Sequence, residues 1–327
     1  MKKLDFVIAW VDGSDENHRL KRQQFQPENV VKGAAEDTRF AHNDEIYFSI
    51  ASILKYVPYC GTIYIITDHQ QPSFVGEFEA QGLCRSGQIQ VVDHQEIFRN
   101  YQQYLPTFNS LSIESMLWNI EGISNHFIYL NDDFFFNQQS DLSDFLIDGQ
   151  MVIYGHWQAT LIKKMKYIFR KFLQQNFGMV AEAKYSTAQM LSADRVGMTR
   201  YYEIHHRPHI LSRDLLSTFF KNNKELLDQQ IQFKFRNIDQ LLPVGLSNHL
   251  AIQSDQAVLK DDIDIAYLKD GRDLEKFILA LSNSEIKFGC IQSLDQLESL
   301  AEGRIRAALI QKFTGFLPSQ IQPTTVV

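Results

Sequence analysis

Four short apolar runs, each stopped by an acid, constrain this chain more than any other feature. They are Phe6–Val11 before Asp12, Thr62–Thr67 before Asp68, Gln88–Val92 before Asp93, and His126–Leu130 before Asn131, Asp132 and Asp133. All four are rich in β-branched or aromatic residues and nearly continuous in apolarity, the pattern of strands buried on both faces. Helix-patterned segments separate them. Asp44–Lys55 carries Ile46, Ile50, Ile53 and Leu54 at helical spacing and stops before Tyr56-Val57-Pro58, where proline disfavours further helix. Asn109–Ile120 spaces Leu111, Ile113, Met116, Leu117 and Ile120 in the same way. Strands alternating with helices predict an α/β fold on a parallel or mixed sheet. Ligands of such sheets bind beyond the carboxyl ends of the strands, so four acid-tipped strands predict one polar rim. Each acid has a competing role as a loop starter or helix cap, and for Asp68 and Asp93 both roles stay open.

The second half is mainly helical in pattern, over Lys163–Phe177, Leu211–Leu227, 275–281 and 295–313. Tyr185–Val196 reads as an irregular connection, and the polar tail Pro318–Val327 as loose. The expected organisation is an α/β core over 1–155, a mainly helical part over 156–317 that completes the site, and a tail over 318–327.

Several function classes drop out. Lys plus Arg is 32 against 39 for Asp plus Glu, a net charge of −7, so a general polyanion surface is disfavoured and no nucleic-acid partner is expected. Cys60, Cys84 and Cys290 are scattered and form no C-x-x-C pair, which argues against a disulfide framework or structural zinc and for a reducing compartment. The opening MKKLDFVIAWVDG imitates a secretory leader, but Asp5 interrupts its apolar run and no small-residue cleavage site follows; it reads as a first strand. No run approaches the ~20 apolar residues of a membrane-spanning helix. The expected location is cytoplasmic. Peripheral membrane contact stays open through the basic, aromatic stretch Lys163–Lys171, whose alternative is a solvated face. The signatures G-x-G-x-x-G, P-loop, G-x-S-x-G and H-E-x-x-H are absent.

Four polar clusters remain. Asn131-Asp132-Asp133 lies between an apolar strand and Phe134-Phe135-Phe136. Adjacent carboxylates resist burial unless a proton or cation offsets them, and a hard cation held by one or two carboxylates plus substrate phosphates does so; a solvated turn is the alternative. In Arg39-Phe40-Ala41-His42-Asn43-Asp44-Glu45, Asn43 or Asp44 suits a helix cap, and Arg39 beside a helix start suits an anion. His205-His206-Arg207-Pro208-His209 matches no zinc helix, since adjacent histidines do not easily share one centre. One histidine acting as acid or base beside Arg207 or Arg213 is the functional reading, and a polar loop the bland one. In Phe235-Arg236-Asn237-Ile238-Asp239, an ion pair of Arg236 with Asp239 competes with a role for the arginine at the site.

Six segments in order carry a resemblance: WVDGSD (10–15), RFAHNDEIYFSIASILKYVP (39–58), IYIITDHQQPSF (63–74), VVDHQEIF (91–98), LPTFNSLSIESMLWNIEGIS (105–124) and HFIYLNDDFFF (126–136). Together they resemble the first two conserved regions of the Stealth family, which comprises bacterial capsule hexose-1-phosphate transferases and the animal GlcNAc-1-phosphotransferase. A third region resembles 205–251, with His209 and Arg236 matching the family's motif histidine and arginine. The fourth is degenerate. Lys287-Phe288-Gly289-Cys290-Ile291-Gln292-Ser293 keeps the cysteine and lacks the family's Asn-Asp pair, so no site residue is assigned there.

The resemblance implies an α/β, nucleotide-sugar-transferase-like mixed sheet with a helical C-terminal part closing the cleft. It implies transfer of hexose- or HexNAc-1-phosphate from a UDP-sugar, by family weight UDP-GlcNAc, to a hydroxyl of a growing capsule or surface glycan, with release of UMP. On that basis Asp132 and/or Asp133 would bind Mg²⁺ or Mn²⁺, and Arg236 and Arg39 would neutralise phosphate charge. His209 would be the general base with Asp44 second, Trp10, Asp12 and Gly13 would hold the nucleotide, and Asn43 and Asn131 would bind sugar or phosphate. A conventional UDP-releasing glycosyltransferase is the alternative.

Overall fold

The computed structural model describes residues 3–26, 43–179, 183–292 and 294–321. At its centre the four predicted strands pair side by side: β1 (Leu4–Ala9), β2 (Cys60–Thr67), β3 (Ile89–Asp93) and β4 (His126–Asn131). β1 lies parallel between β2 and β4, and β3 extends the sheet beyond β2. Alternate side chains feed separate cores. Phe6, Ile8, Ile63, Ile65, Ile128 and Leu130 pack on one face, and Val7, Tyr64, Ile66, Phe127 and Tyr129 on the other. Both faces of β1, β2 and β4 are therefore dry, as near-continuous apolar runs require; β3 departs from that expectation, because it is the edge strand, with Gln90 exposed and Ile89 and Val91 half-buried. Asp5, which interrupts the first run, is buried but satisfied: its carboxylate accepts from Thr62 N at 2.9 Å, Ser124 N at 2.8 Å and Ser124 Oγ at 2.6 Å.

A fifth strand, His209–Ser212, joins the far edge of β4 in antiparallel register, with His209 opposite Tyr129. The sequence pattern places a helix over Leu211–Leu227; instead the chain forms this strand, a helix over Arg213–Asn222 and another over Lys224–Ile231. Ser212 marks the change, its hydroxyl accepting from Leu215 N at 3.3 Å as an N-cap. Tyr185–Val196 also departs from expectation. Tyr185–Arg195 is a helix whose middle is buried. Its polar residues are satisfied across the fold: Gln189 bonds both backbone groups of Ile204, and Ser192 bonds those of Leu242. The Asn109–Ile120 helix is shorter than expected, covering Ser110–Glu114 and then a 3-10 turn over Leu117–Asn119. Helices at Glu45–Tyr56, Thr160–Phe177, Leu274–Ser282 and Ser299–Lys312 match the sequence pattern. Of the tail expected to be loose, Ile321 is buried and Ser319 N donates to Gln81 Oε1 at 2.9 Å; residues 322–327 lie outside the described residues.

Phe134–Phe136 leaves the acidic corner and pairs antiparallel with Phe288–Ile291. That pairing brings the degenerate fourth region against the Asp132-Asp133 corner. Close approach there depends on Gly289, because a Cβ built on it would lie 2.0 Å from Phe135 Cζ. Phe135 is itself buried and cannot swing away. Gly289→Ala is expected to destabilise the chain by about 1–3 kcal/mol through overpacking, read as a lower urea midpoint at unchanged slope. An unchanged midpoint would show that the two strands separate freely.

Candidate active site

A cavity of about 730 Å³ opens at the carboxyl ends of the central strands. Trp10 enters it after β1, Asp68 after β2, and Asn131, Asp132 and Asp133 at the end of β4. The antiparallel strand runs the other way, so its first residue, His209, arrives at the same rim. Glu45 enters from the start of its helix, and Arg236, Glu114 and Ser110 line the same cavity.

The acidic corner is half-buried at the cavity, with Glu45 buried and Asp132 and Asp133 partly exposed. Burial, then the charge of Asp133, pushes the Asp132 carboxyl up to about 8. Burial raises Asp133 to about 7, with Glu45 adding repulsion and Cys290 opposing it. Burial, then Asp132, raises Glu45 to about 8. Cys290 Sγ lies 3.5 Å from Asp133 Oδ2, while the backbone of Ile291 donates to Asp133 O at 2.9 Å. Asp133 Oδ1 is buried with no hydrogen-bond partner among the described residues. Three carboxyls that cannot all ionise together, one with an orphaned oxygen, form a donor set of the hard-oxygen kind that a divalent cation fits.

Arg236 brings positive charge to the same cavity. Arg236 Nη2 donates to Ser110 Oγ at 2.6 Å. Its charge also opposes the burial that raises Glu114 to about 7. Asp239, the competing partner, is taken instead by Tyr167 Oη at 2.7 Å and Lys171 Nζ at 2.9 Å. His209 lines the cavity as well. Burial, then the charges of Arg207 and His206, holds its imidazole well below the ordinary value. It is therefore neutral at neutral pH, and its Nε2 is buried without a partner among the described residues.

The other predicted site residues divide. Trp10 and Asn131 line the cavity, and Asn131 Oδ1 accepts from Tyr129 Oη at 2.9 Å. Asp12 and Gly13 do not line it; Asp12 Oδ1 instead closes a turn by accepting from Ser14 N at 2.9 Å and Ser14 Oγ at 2.6 Å. Asn43 and Asp44 stand just outside the cavity lining, where Arg306 binds Asn43 O at 2.8 Å and the Asp44 carboxylate. Neither side chain caps the helix as expected. Asp44 takes a left-handed conformation at φ 65°, and Glu45 accepts from Asn43 N at 2.6 Å. Arg39 lies outside the described residues.

Of the two strand-end acids with open roles, Asp68 lines the cavity and pairs with Lys21 at 2.8 Å, whereas Asp93 caps the helix His94–Ile97. The histidine run divides: His205 faces Asp262, whereas His206, stacked on Tyr185 at 5.0 Å, and His209 both line the cavity. Among the described residues, His156, His205 and Asp262, and separately Asp68, His69 and Asp93, cluster closely enough to share an ion; neither group contains Asp132 or Asp133.

Sequence reasoning missed Glu45, Glu114 and Cys290. Glu45 carried a signal, as the one acid in EIYFSIASIL, an otherwise apolar helix start. The other two are brought in only by tertiary pairing.

Fold and site together define an α/β protein whose strand ends deliver carboxylates to one cleft that an arginine also lines. Residues 39–153 match the family model described as Stealth protein CR2, conserved region 2. The chain is 39% identical over 145 residues to the capsular polysaccharide phosphotransferase cps1A of Actinobacillus pleuropneumoniae, which covers 43% of this chain and 38% of that protein. It is 30% identical over 271 residues to the exopolysaccharide phosphotransferase SCO2592 of Streptomyces coelicolor, covering 82% of this chain and 27% of that one. The chain thus spans well under half the length of these relatives. Among solved structures, the WbbM bifunctional glycosyltransferase aligns with 96% of this chain and 50% of its own at 8% identity and a TM-score of 0.47, too loose a likeness to carry an assignment. No helix among the described residues is long and apolar enough to cross a membrane.

Proposed function

We propose that this protein is a sugar-1-phosphate transferase of capsule or surface polysaccharide synthesis, acting on the cytoplasmic side of the membrane. It would move hexose- or HexNAc-1-phosphate from a UDP-sugar, UDP-GlcNAc being the first candidate, to a glycan hydroxyl. The observation that carries the reading is the cavity's composition: the mutually repelling Glu45, Asp132 and Asp133 line it together with Arg236 and His209. The names of the capsular and exopolysaccharide relatives support the same reaction class.

The acceptor hydroxyl attacks the phosphorus that bears the sugar. A new P–O bond forms to the acceptor, the bridging P–O bond to the inner phosphate breaks, and UMP leaves with that electron pair. The hydroxyl proton passes to the unpartnered Nε2 of neutral His209, whose low basicity is offset as phosphate charge arrives beside it. Arg236 binds equatorial phosphate oxygens with a planar fork and stabilises the charge they gain. Trp10 and Asn131 border the donor. Asp132 and Asp133, with Glu45 adjacent, would hold Mg²⁺ or Mn²⁺, which when bound supplies positive charge to the diphosphate. The protein's own contribution is chiefly position and electrostatics, as phosphoryl transfer demands.

The test is nucleotide identity. Purified protein with Mg²⁺, a panel of UDP-sugars and short glycan acceptors is expected to release UMP and form a phosphodiester visible by phosphorus NMR. UDP release with glycoside formation would overturn the reading and make the site a conventional glycosyltransferase.

A further inference from the structure

The helix Thr160–Phe177 is built unlike the rest of the surface. It carries Lys163, Lys164, Lys166, Arg170 and Lys171 and no acid, in a chain whose net charge is −7. Leu161, Ile162, Met165, Ile168, Phe169 and Phe172 are all exposed, from 51% to 67%. At 100° per residue these six fall on a single arc of roughly 120°. The other side of the helix fastens it to the protein, through Tyr167 and Lys171 on Asp239, Lys163 on Glu203, and Lys164 on Asp194. Lys166 lies about 40° beyond one edge of the apolar arc and Arg170 about 80° beyond the same edge, and neither makes an ion pair among the described residues.

Large apolar side chains scattered singly over a surface need no explanation, but six on one helix face mark a contact. The occupant follows from charge. A second copy meeting this face through a two-fold axis would set the unpaired Lys166 and Arg170 against their own copies, with no acid on the helix to relieve them. An anionic lipid surface meets both demands at once: its acyl boundary takes the apolar arc and its phosphates take Lys166 and Arg170. We infer that Thr160–Phe177 lies in the interface of an anionic bilayer and holds the protein on the membrane without crossing it. The adjoining helix Tyr185–Arg195 contributes Tyr185 and Ala188 to the cavity wall, so docking brings the site close to the lipid surface. The inference stands on this helix and does not depend on the reaction proposed above.

The test is flotation of the full chain with vesicles of phosphatidylcholine alone or mixed with phosphatidylglycerol. Binding is expected to the mixed vesicles at low salt, at least about tenfold weaker to phosphatidylcholine, and to weaken as salt rises. Lys166→Gln with Arg170→Gln is expected to lower binding by roughly 25-fold. Phe169→Ser with Phe172→Ser is expected to lower it at least as far. All four side chains lie outside the core, so circular dichroism and the melting temperature should stay as in the parent, which separates lost docking from lost folding. No binding to mixed vesicles at low salt would overturn the inference, as would undiminished binding by the phenylalanine variant. A parent dimer in light scattering that the phenylalanine variant converts to monomer would overturn it too, by assigning the face to a second copy.

Discussion

Asp133→Asn is expected to lower the rate of UMP release by at least about 10²–10³-fold, the usual cost of one preorganised electrostatic group, while making the metal-free protein more stable. Both effects come from one cause. Burial lifts Asp132, Asp133 and Glu45 to about 8, 7 and 8, far above the ordinary carboxyl value near ~4. A folded-state value above the unfolded one means that the folded chain keeps protons which the unfolded chain releases. The stability these groups contribute is therefore complete below about pH 4 and is lost as pH climbs towards 7–8. His209, held low, acts with the opposite sign: its share is present above the ordinary histidine value and is lost as pH falls below it. Removing one carboxyl from the trio should flatten the fall in melting temperature on the alkaline side, and Mg²⁺ should raise the parent's melting temperature there more than the variant's. Scanning fluorimetry over a pH series, with and without Mg²⁺, measures this directly. Full activity in the variant would remove Asp133 from the reaction, and an unchanged pH slope would show that the trio is not coupled.

Arg236→Ala carries the second large effect, expected as a loss of about 10²–10³-fold in kcat. If the arginine acts on charge that develops during transfer, kcat and kcat/KM should fall together with KM little changed. Arg236→Lys should recover only part of the rate, because an ammonium lacks the planar fork that spans two phosphate oxygens. The alanine change also withdraws the charge that helps keep Glu114 ionised in a fully buried position. Adding Glu114→Gln should therefore restore stability to Arg236→Ala without restoring the rate. A double variant that regains activity would assign Arg236 a structural role only.

The centre of the fold was legible because β1, β2 and β4 obey one simple rule, apolar on both faces with an acidic or amide residue at or just beyond the end, whereas the edge strand β3 follows it only in part. The Asn131-Asp132-Asp133 corner, His209 and Arg236 follow from residue chemistry and family resemblance, and the fold places all of them around one cavity. What escaped was written in no local pattern. Tyr185–Arg195 lacks an apolar stripe because its buried positions include Gln189 and Ser192, which bond distant backbone groups. The strand His209–Ser212 is four residues long and runs straight into a helix, so the 3.6-residue period of the helix hides it. Cys290 meets Asp133 only because Phe134–Phe136 pairs with Phe288–Ile291.

The edge pairing of His209–Ser212 with β4 has a consequence for the chain during its synthesis. β4 is finished at Asn131, but its outer partner begins at His209, roughly 80 residues later, or about 4–16 s at typical ribosomal speeds of ~5–20 residues per second. For that interval Phe127, Ile128, Tyr129 and Leu130 stand on an open sheet edge, able to pair with any other nascent strand. Fast translation or crowded polysomes should therefore send this protein into inclusion bodies, and slower synthesis or a chaperone that shields the edge should rescue it.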